Sequence, residues 1–223
     1  MNVRELTDKV LDLIYPPSLY CICCGNLIDE TRPYNLCDHC VRHIGWEHEP
    51  PADRGDGIEM MRCVRYGIYE RTLIFSLKYN GKKYIARDIA NMMRDRLLES
   101  RIDFDVIVPV PMNAAKERAR GFNHAALIGQ YLAREMGKQI LPDALQRVRP
   151  TRPMRGLSPE EREANIHGSM ALGPAGAASR LRARRVLILD DFFTTGATAR
   201  ECCRALAPAE PASVLFYAFA ARY

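Results

Sequence analysis

Apolar positions along the chain alternate between two periods, and the changes of period mark out the expected elements. Leu6, Val10, Leu11, Leu13 and Ile14 lie near one helical stripe over residues 3–14, which Pro16-Pro17 ends. Residues 61–69, rich in β-branched and aromatic positions, read as a strand. A short helix follows over 70–79, with Leu73, Ile74 and Leu77 on its apolar side, and Asn80-Gly81 breaks it. The spacing of Ile85, Ile89, Met92 and Leu97 predicts a helix over 83–98, and Leu127, Ile128, Tyr131 and Leu132 predict another over 123–136. Continuous apolar runs at 106–110 and 186–189 fit strands buried on both faces. Residues 145–148, 166–172 and 214–219 are further candidate strands, and 199–207 reads as a helix. Ser158 and Pro159 suit the N-cap and first position of a helical turn inside the polar segment 149–165, which otherwise reads as a mobile loop. Strands alternating with helices predict an α/β domain with a mainly parallel sheet flanked by helices.

The cysteines add a second unit. Cys21 and Cys24 form one C-x-x-C pair and Cys37 and Cys40 another, with twelve residues between. That spacing predicts a tetrahedral thiolate zinc site, which would organise about thirty residues too poor in apolar side chains to fold unaided. Cys23 and His39 lie within the pairs as rival ligands, and a redox pair or scattered core cysteines are the alternatives. Cys63, Cys202 and Cys203 read as core residues. The expected organisation is an N-terminal helix at 1–19, a four-cysteine zinc ribbon at 20–46, a polar linker at 47–57 and the α/β domain at 58–223.

Composition narrows the class without selecting a ligand. The 223 residues are 48% hydrophobic and 26% charged, as in ordinary globular proteins. A net charge of +5 suits anionic ligands, from a phosphorylated sugar to a nucleic acid. No apolar run approaches the roughly 18 residues of a membrane span. Glu5, Asp8 and Asp12 interrupt the first apolar stretch, so no secretory signal is expected and the cytoplasm is the expected location.

The strongest chemical signal is VLILDDFFTTGAT at 186–198. Asp190 and Asp191 follow a buried strand, where open parallel sheets bind ligands. Ionised carboxylates accept hydrogen bonds and match sugar hydroxyls or a divalent cation. Thr194, Thr195, Gly196, Ala197 and Thr198 then supply backbone N–H groups and hydroxyls at a helix start, a cradle for phosphate. Gly196 lets the backbone approach an anion closely. Together these features describe a ribose 5-phosphate site.

This stretch closely resembles the phosphoribosyl diphosphate (PRPP) signature of type I phosphoribosyltransferases. The resemblance gives Asp190 and Asp191 the ribose hydroxyls and Thr194, Thr195, Gly196, Ala197 and Thr198 the 5-phosphate. More of the chain resembles the ComF family, competence-associated phosphoribosyltransferase-like proteins with an N-terminal zinc ribbon. The segments LDLIYPP, CICCG, LCDHC, LKYNGKK, VPVPMNAAKERARGFNHA and LSPEEREANIHGSM occur in that order ahead of the PRPP stretch. Two positions depart from the family, which usually has Gln in place of His124 and of Met154.

By the same resemblance, Lys116, Arg118 and Arg120 are candidates for the pyrophosphate of PRPP, with Mg²⁺ bridging its oxygens. Arg152, Arg155 and Arg162 fall where transferases carry a lid, and Arg118 and Arg155 are the catalytic candidates. Lys78, Lys82, Lys83 and Arg87 around Tyr79 and Tyr84 form a second basic cluster, suited to single-stranded nucleic acid, to a PRPP-facing loop or to plain helix solvation. The stretch from Cys21 to Cys40 holds Arg32 against Asp29, Glu30 and Asp38, so the ribbon reads as a lid or partner-docking surface rather than a basic DNA-binding finger. Two readings follow. One is Mg²⁺-dependent transfer of the phosphoribosyl group from PRPP to a nitrogen acceptor. The other is a non-catalytic factor handling single-stranded DNA, with other competence proteins as partners.

Overall fold

The computed structural model describes residues 19–53, 57–79, 81–152, 156–174 and 176–222. The helix expected over 1–19 therefore lies outside the described residues, except for Leu19, as do Arg155 and Met154.

Among the described residues the main sheet has six strands. These are β1 (Ala52–Asp53), β2 (Glu59–Arg65), β3 (Val106–Pro109), β4 (Gln139–Ile140), β7 (Arg185–Phe193) and β8 (Ser213–Ala221), in the order β1-β2-β8-β7-β3-β4. Only β1 runs antiparallel to its neighbour. The mainly parallel sheet flanked by helices is thus the architecture the pattern predicts. Two strands stand apart as an antiparallel pair, β5 (Leu145–Arg147) and β6 (Met170–Leu172). The strand expected over 166–172 is shortened accordingly, because Ile166 ends a helix instead.

Burial on both faces explains the continuous apolar runs. Leu187 and Leu189 of β7 enter a core with Ile107, Tyr217 and Phe219, while Val186 and Ile188 enter the opposite core with Val108 and Phe216. The first face is covered by α2 (Ile68–Tyr79), α3 (Ile85–Glu99) and α5 (His124–Met136). The second is covered by α6 (Pro159–Ile166), α7 (Ala177–Leu181) and α8 (Ala197–Leu206). The short helix α7 buries Ala177 and Leu181.

Two differences from the expected elements reshape the site. The basic stretch after Pro111, where the sequence pattern marks no element, is a helix, α4 (Ala114–Arg120). Its alanines favour helix, Asn113 caps it through the N–H groups of Ala115 and Lys116, and Gly121 closes it at φ 82°. The strand expected to stop at Leu189 continues through both aspartates and both phenylalanines. It does so because β8 is equally long and pairs with it as far as Phe193↔Ala221. On the other side, β3 pairs with it only to Pro109↔Leu189. The sheet therefore steps down beside Asp190, leaving that edge of β7 open.

The cysteine unit packs directly on this framework. It contains α1 (Asp38–His43), and its buried Ile22, Leu36, Cys40 and Ile44 share one core with Leu73, Leu77 and Ile89. Polar ties run along the same seam. Asn35 donates to Asp88 at 2.8 Å and Tyr34 to Asp95 at 2.7 Å. Buried Glu70 accepts from the N–H groups of Gly45 and Gly67 at 2.7 and 2.8 Å. No helix among the described residues is long and apolar enough to cross a membrane.

Candidate functional site

An open cleft lies above the step in the sheet. Its volume is about 260 Å³. Asp190 and Asp191 form its floor, with Lys78 and Tyr79 from the end of α2, Lys116 and Arg120 from α4, and His124 from the start of α5. Arg147, Thr151, Arg152 and Thr198 line it as well. Lys116 and Arg120 are four residues apart and share a face of α4, whereas Arg118 is exposed and stands outside the cleft lining.

The two aspartates have different surroundings because successive strand residues face opposite sides of a sheet. Asp191 faces α2 and α5 and is 3% exposed. Lys78 forms an ion pair with its Oδ2, and His124 Nε2 lies 2.8 Å from its Oδ1. Burial would raise its carboxyl, but Lys78 and His124 outweigh that and hold it well below the usual range. Asp190 is half-buried on the other face and accepts the N–H of Asp191 at 2.9 Å. Burial, and then the charge of Asp191, push its carboxyl well up. Lys78 shows the complementary effect: burial opposes its charge, and the adjacent Asp191 more than restores it.

The sequence left Lys78 in a basic cluster open to nucleic acid, a PRPP-facing loop or helix solvation; the structure turns it inward, onto Asp191. Its position four residues after buried Ile74 was the available signal, since i and i+4 share a helix face. Lys82 and Lys83 do remain exposed, and Lys83 lies 5.1 Å from the centre of the Phe122 ring. Arg120 lies 5.2 Å from the centre of the Tyr79 ring and also contacts His124 Nδ1 at 2.8 Å.

A smaller hollow adjoins the cleft. It is formed by Phe193, Thr194, Thr195, Gly196, Ala197 and Thr198, with Arg162 of α6 beside them. Gly196, at φ 84°, turns the chain from β7 into α8, so the loop N–H groups surround the hollow at a helix start. Arg200 braces this turn, donating to the Thr195 carbonyl at 3.1 Å and to Glu163 of α6 at 2.6 Å. The stretch around Arg152 is tied to α6 in turn, because Arg152 and Asn165 exchange two hydrogen bonds of 2.9 and 3.0 Å. Ser158 caps α6 in a full capping box.

The Sγ atoms of Cys21, Cys24, Cys37 and Cys40 all lie within 4.8 Å of one another. A zinc ion with four ligands at 2.3 Å would separate the sulfurs by about 3.8 Å, so the donor set fits. Burial raises the Cys21 thiol, but N–H groups of Cys24, Cys37 and Cys23 outweigh it and bring the thiol down to about 7. The rivals are elsewhere: Cys23 points to the Tyr69 carbonyl, and His39 Nε2 is 3.0 Å from the Tyr69 hydroxyl. Cys63 and Cys202 are buried, and Cys203 is half-buried.

No family model matches the chain. It is 27% identical over 197 residues to Competence protein F of Haemophilus influenzae, covering 82% of this chain and 83% of that protein. It is 27% identical over 205 residues to DNA utilization protein YhgH of Escherichia coli, covering 90% and 79% of the two chains. YhgH of Salmonella typhimurium is 29% identical over 83% of this chain and 77% of its own. Solved structures that align with it include adenine phosphoribosyltransferase from Thermoanaerobacter pseudethanolicus, at TM-score 0.40 and 14% identity, over 80% of this chain and 96% of that one. Another is glutamine PRPP amidotransferase from B. subtilis, at TM-score 0.39 and 16% identity, over 60% and 25%. The chain is a homologue of Competence protein F and YhgH, in line with the order of its motifs.

Proposed function

We propose that this homologue of Competence protein F and YhgH is a phosphoribosyltransferase-like protein whose cleft binds PRPP or a related ribose 5-phosphate ligand. One observation carries the reading: the acidic pair and the Thr194–Thr198 hollow are adjoining parts of one open site at the end of β7. The loop N–H groups and the start of α8 hold the 5-phosphate, with Arg162 supplying a cation beside it. The acidic floor of the cleft offers a carboxylate acceptor to the ribose hydroxyls. Lys116 and Arg120 face the diphosphate from α4, and α6, anchored through Glu163 to Arg200, borders the site. Mg²⁺ fits as a ligand-borne ion rather than one caged by protein. His124, Asp190 and Asp191 have donor atoms within 4.8 Å, but Lys78 already occupies the cation position on Asp191. Asp190 and the diphosphate oxygens would hold it, and it would neutralise charge on the leaving group. With a nitrogen nucleophile, the chemistry open to such a donor site is transfer: C1–N forms, C1–O breaks, pyrophosphate leaves and the nitrogen loses a proton.

Cys21, Cys24, Cys37 and Cys40 would hold a structural zinc ion, in keeping with a reducing, cytoplasmic setting. A metal assay on purified protein that found no zinc would count against this. Calorimetric titration of PRPP with Mg²⁺ tests the cleft. Binding is expected to wild type and not to the Asp190→Asn/Asp191→Asn protein; equal silence from both would remove the reading.

The relatives' names, competence protein and DNA utilization protein, favour a second role in handling single-stranded DNA. The supporting observation is an exposed aromatic rim: the Phe75 and Tyr79 rings lie tilted against each other with centres 4.5 Å apart, Arg120 lies over Tyr79, and Lys83 lies over neighbouring Phe122.

A further inference from the structure

The acidic pair would offer a ligand two carboxylates, yet only one of them is open. Asp191 carries Lys78 on one oxygen and His124 on the other, and it is 3% exposed. The His124 contact is fixed from behind. A guanidinium has no acceptor, so the 2.8 Å contact from Arg120 makes Nδ1 the accepting nitrogen and leaves the proton on Nε2, aimed at Asp191 Oδ1. A ligand hydroxyl reaching Asp191 would have to displace a buried ammonium or a braced imidazole. Asp190 differs: among the described residues, the hydrogen bond it receives is the N–H of Asp191.

We infer that the cleft reads a single pentose hydroxyl, through Asp190, and that Asp191 is a positioning residue locked by Lys78 and His124. The ligand class it admits therefore includes 2-deoxyribose 5-phosphates alongside ribose 5-phosphates. This rests on the ribose 5-phosphate reading of the cleft. The choice of hydroxyl follows from the sheet faces. Asp190 shares its face with Val186 and Ile188, the side covered by α6 and α8, and those helices also border the Thr194–Thr198 hollow. With the phosphate in that hollow, C3 of the sugar lies one carbon nearer to it than C2. Asp190 thus meets the 3-hydroxyl, which the deoxy sugar keeps.

The test is calorimetric titration of wild-type protein with D-ribose 5-phosphate and with 2-deoxy-D-ribose 5-phosphate. A hydrogen bond from the 2-hydroxyl to an ionised carboxylate would favour ribose by roughly 10- to 100-fold. The expected ratio of the two dissociation constants is instead within about threefold, since no such bond is made. A preference for ribose of tenfold or more overturns the inference and leaves the ribose 5-phosphate reading standing. Binding of neither sugar phosphate overturns that reading itself. In His124→Ala protein, checked for folding by circular dichroism, the freed Oδ1 should create a ribose preference absent from wild type. An unchanged ratio in that folded variant would show that His124 does not set the specificity.

Discussion

Lys78 and Asp191 join the end of α2 to β7 at the floor of the cleft, with side-chain exposures of 20% and 4%. Removing one partner leaves the other charge poorly solvated, while removing both leaves none behind. Asp191→Asn and Lys78→Met should each destabilise the fold by about 2–4 kcal/mol, with Lys78 keeping some access to water. The double variant should lose clearly less than the sum, which urea unfolding in a double-mutant cycle would measure. Additive losses would show that the pair does not interact. The pH dependence has a definite sign. The Asp191 carboxyl is held below its unfolded value, so its contribution is present above about pH 4 and is lost as pH falls through the folded value. Asp190 is shifted upward and acts in the opposite sense, so its ionisation weakens the fold as pH rises. None of this was legible in the aspartates themselves, since adjacency in sequence says nothing about which partners the two sheet faces will supply. His124 and Lys78 are 67 and 113 residues from Asp191 and reach it only through the packing of α5 and α2 on one face.

Elements whose signal is local were readable, and those that depend on a partner were not. The N-cap of α6 and the two C-x-x-C pairs are encoded within a few residues: Ser158 caps the helix, which runs beyond the single turn expected, and the four cysteines come together. The length of β7 is set by β8, so a reading that stopped at the first charged residue cut the strand short. Helix α4 was missed because its basic residues suggested a loop, although Asn113, Ala114 and Ala115 are a cap followed by strong helix formers. The seam between the cysteine unit and α3 makes its own prediction. Asp88 is 2% exposed, and burial pushes its carboxyl up to about 7, against the opposing effects of Arg87 and of Asn35. Between about pH 4 and 7 the folded protein keeps this proton while the unfolded chain releases it, so stability falls as pH rises. The cost at pH 8 is at most about 4 kcal/mol. Asp88→Asn keeps an acceptor for Asn35 and removes the ionisation. Its stability relative to wild type should therefore grow from pH 4 to pH 7 and then level off. A constant difference in denaturant midpoint across that range would rule out the buried carboxyl as the cause.

For the whole molecule, the cleft and the exposed aromatic rim are joined by one helix, α2, which turns Lys78 inward and leaves Phe75 and Tyr79 50% and 63% exposed. The net charge of +5 is too general to locate this surface; the fold does so by setting Arg120 over Tyr79 and Lys83 over Phe122. Aromatics interleaved with cations suit single strands, whose bases stack on rings while their phosphates meet the charges. Phe75 separates the two roles because it is outside the cleft lining, unlike Tyr79. Phe75→Ala should weaken single-stranded DNA binding by about 1–3 kcal/mol, the worth of one stacked base, and leave its salt dependence and the affinity for ribose 5-phosphate unchanged. Lys82→Ala/Lys83→Ala should act the other way, flattening the slope of log K against log salt by about 1.4, or roughly 0.7 for each lost phosphate contact. Fluorescence anisotropy with a labelled oligonucleotide at several salt concentrations reads both effects. If neither variant alters DNA affinity or its salt slope, the rim is not the DNA surface, and α2 serves the cleft alone.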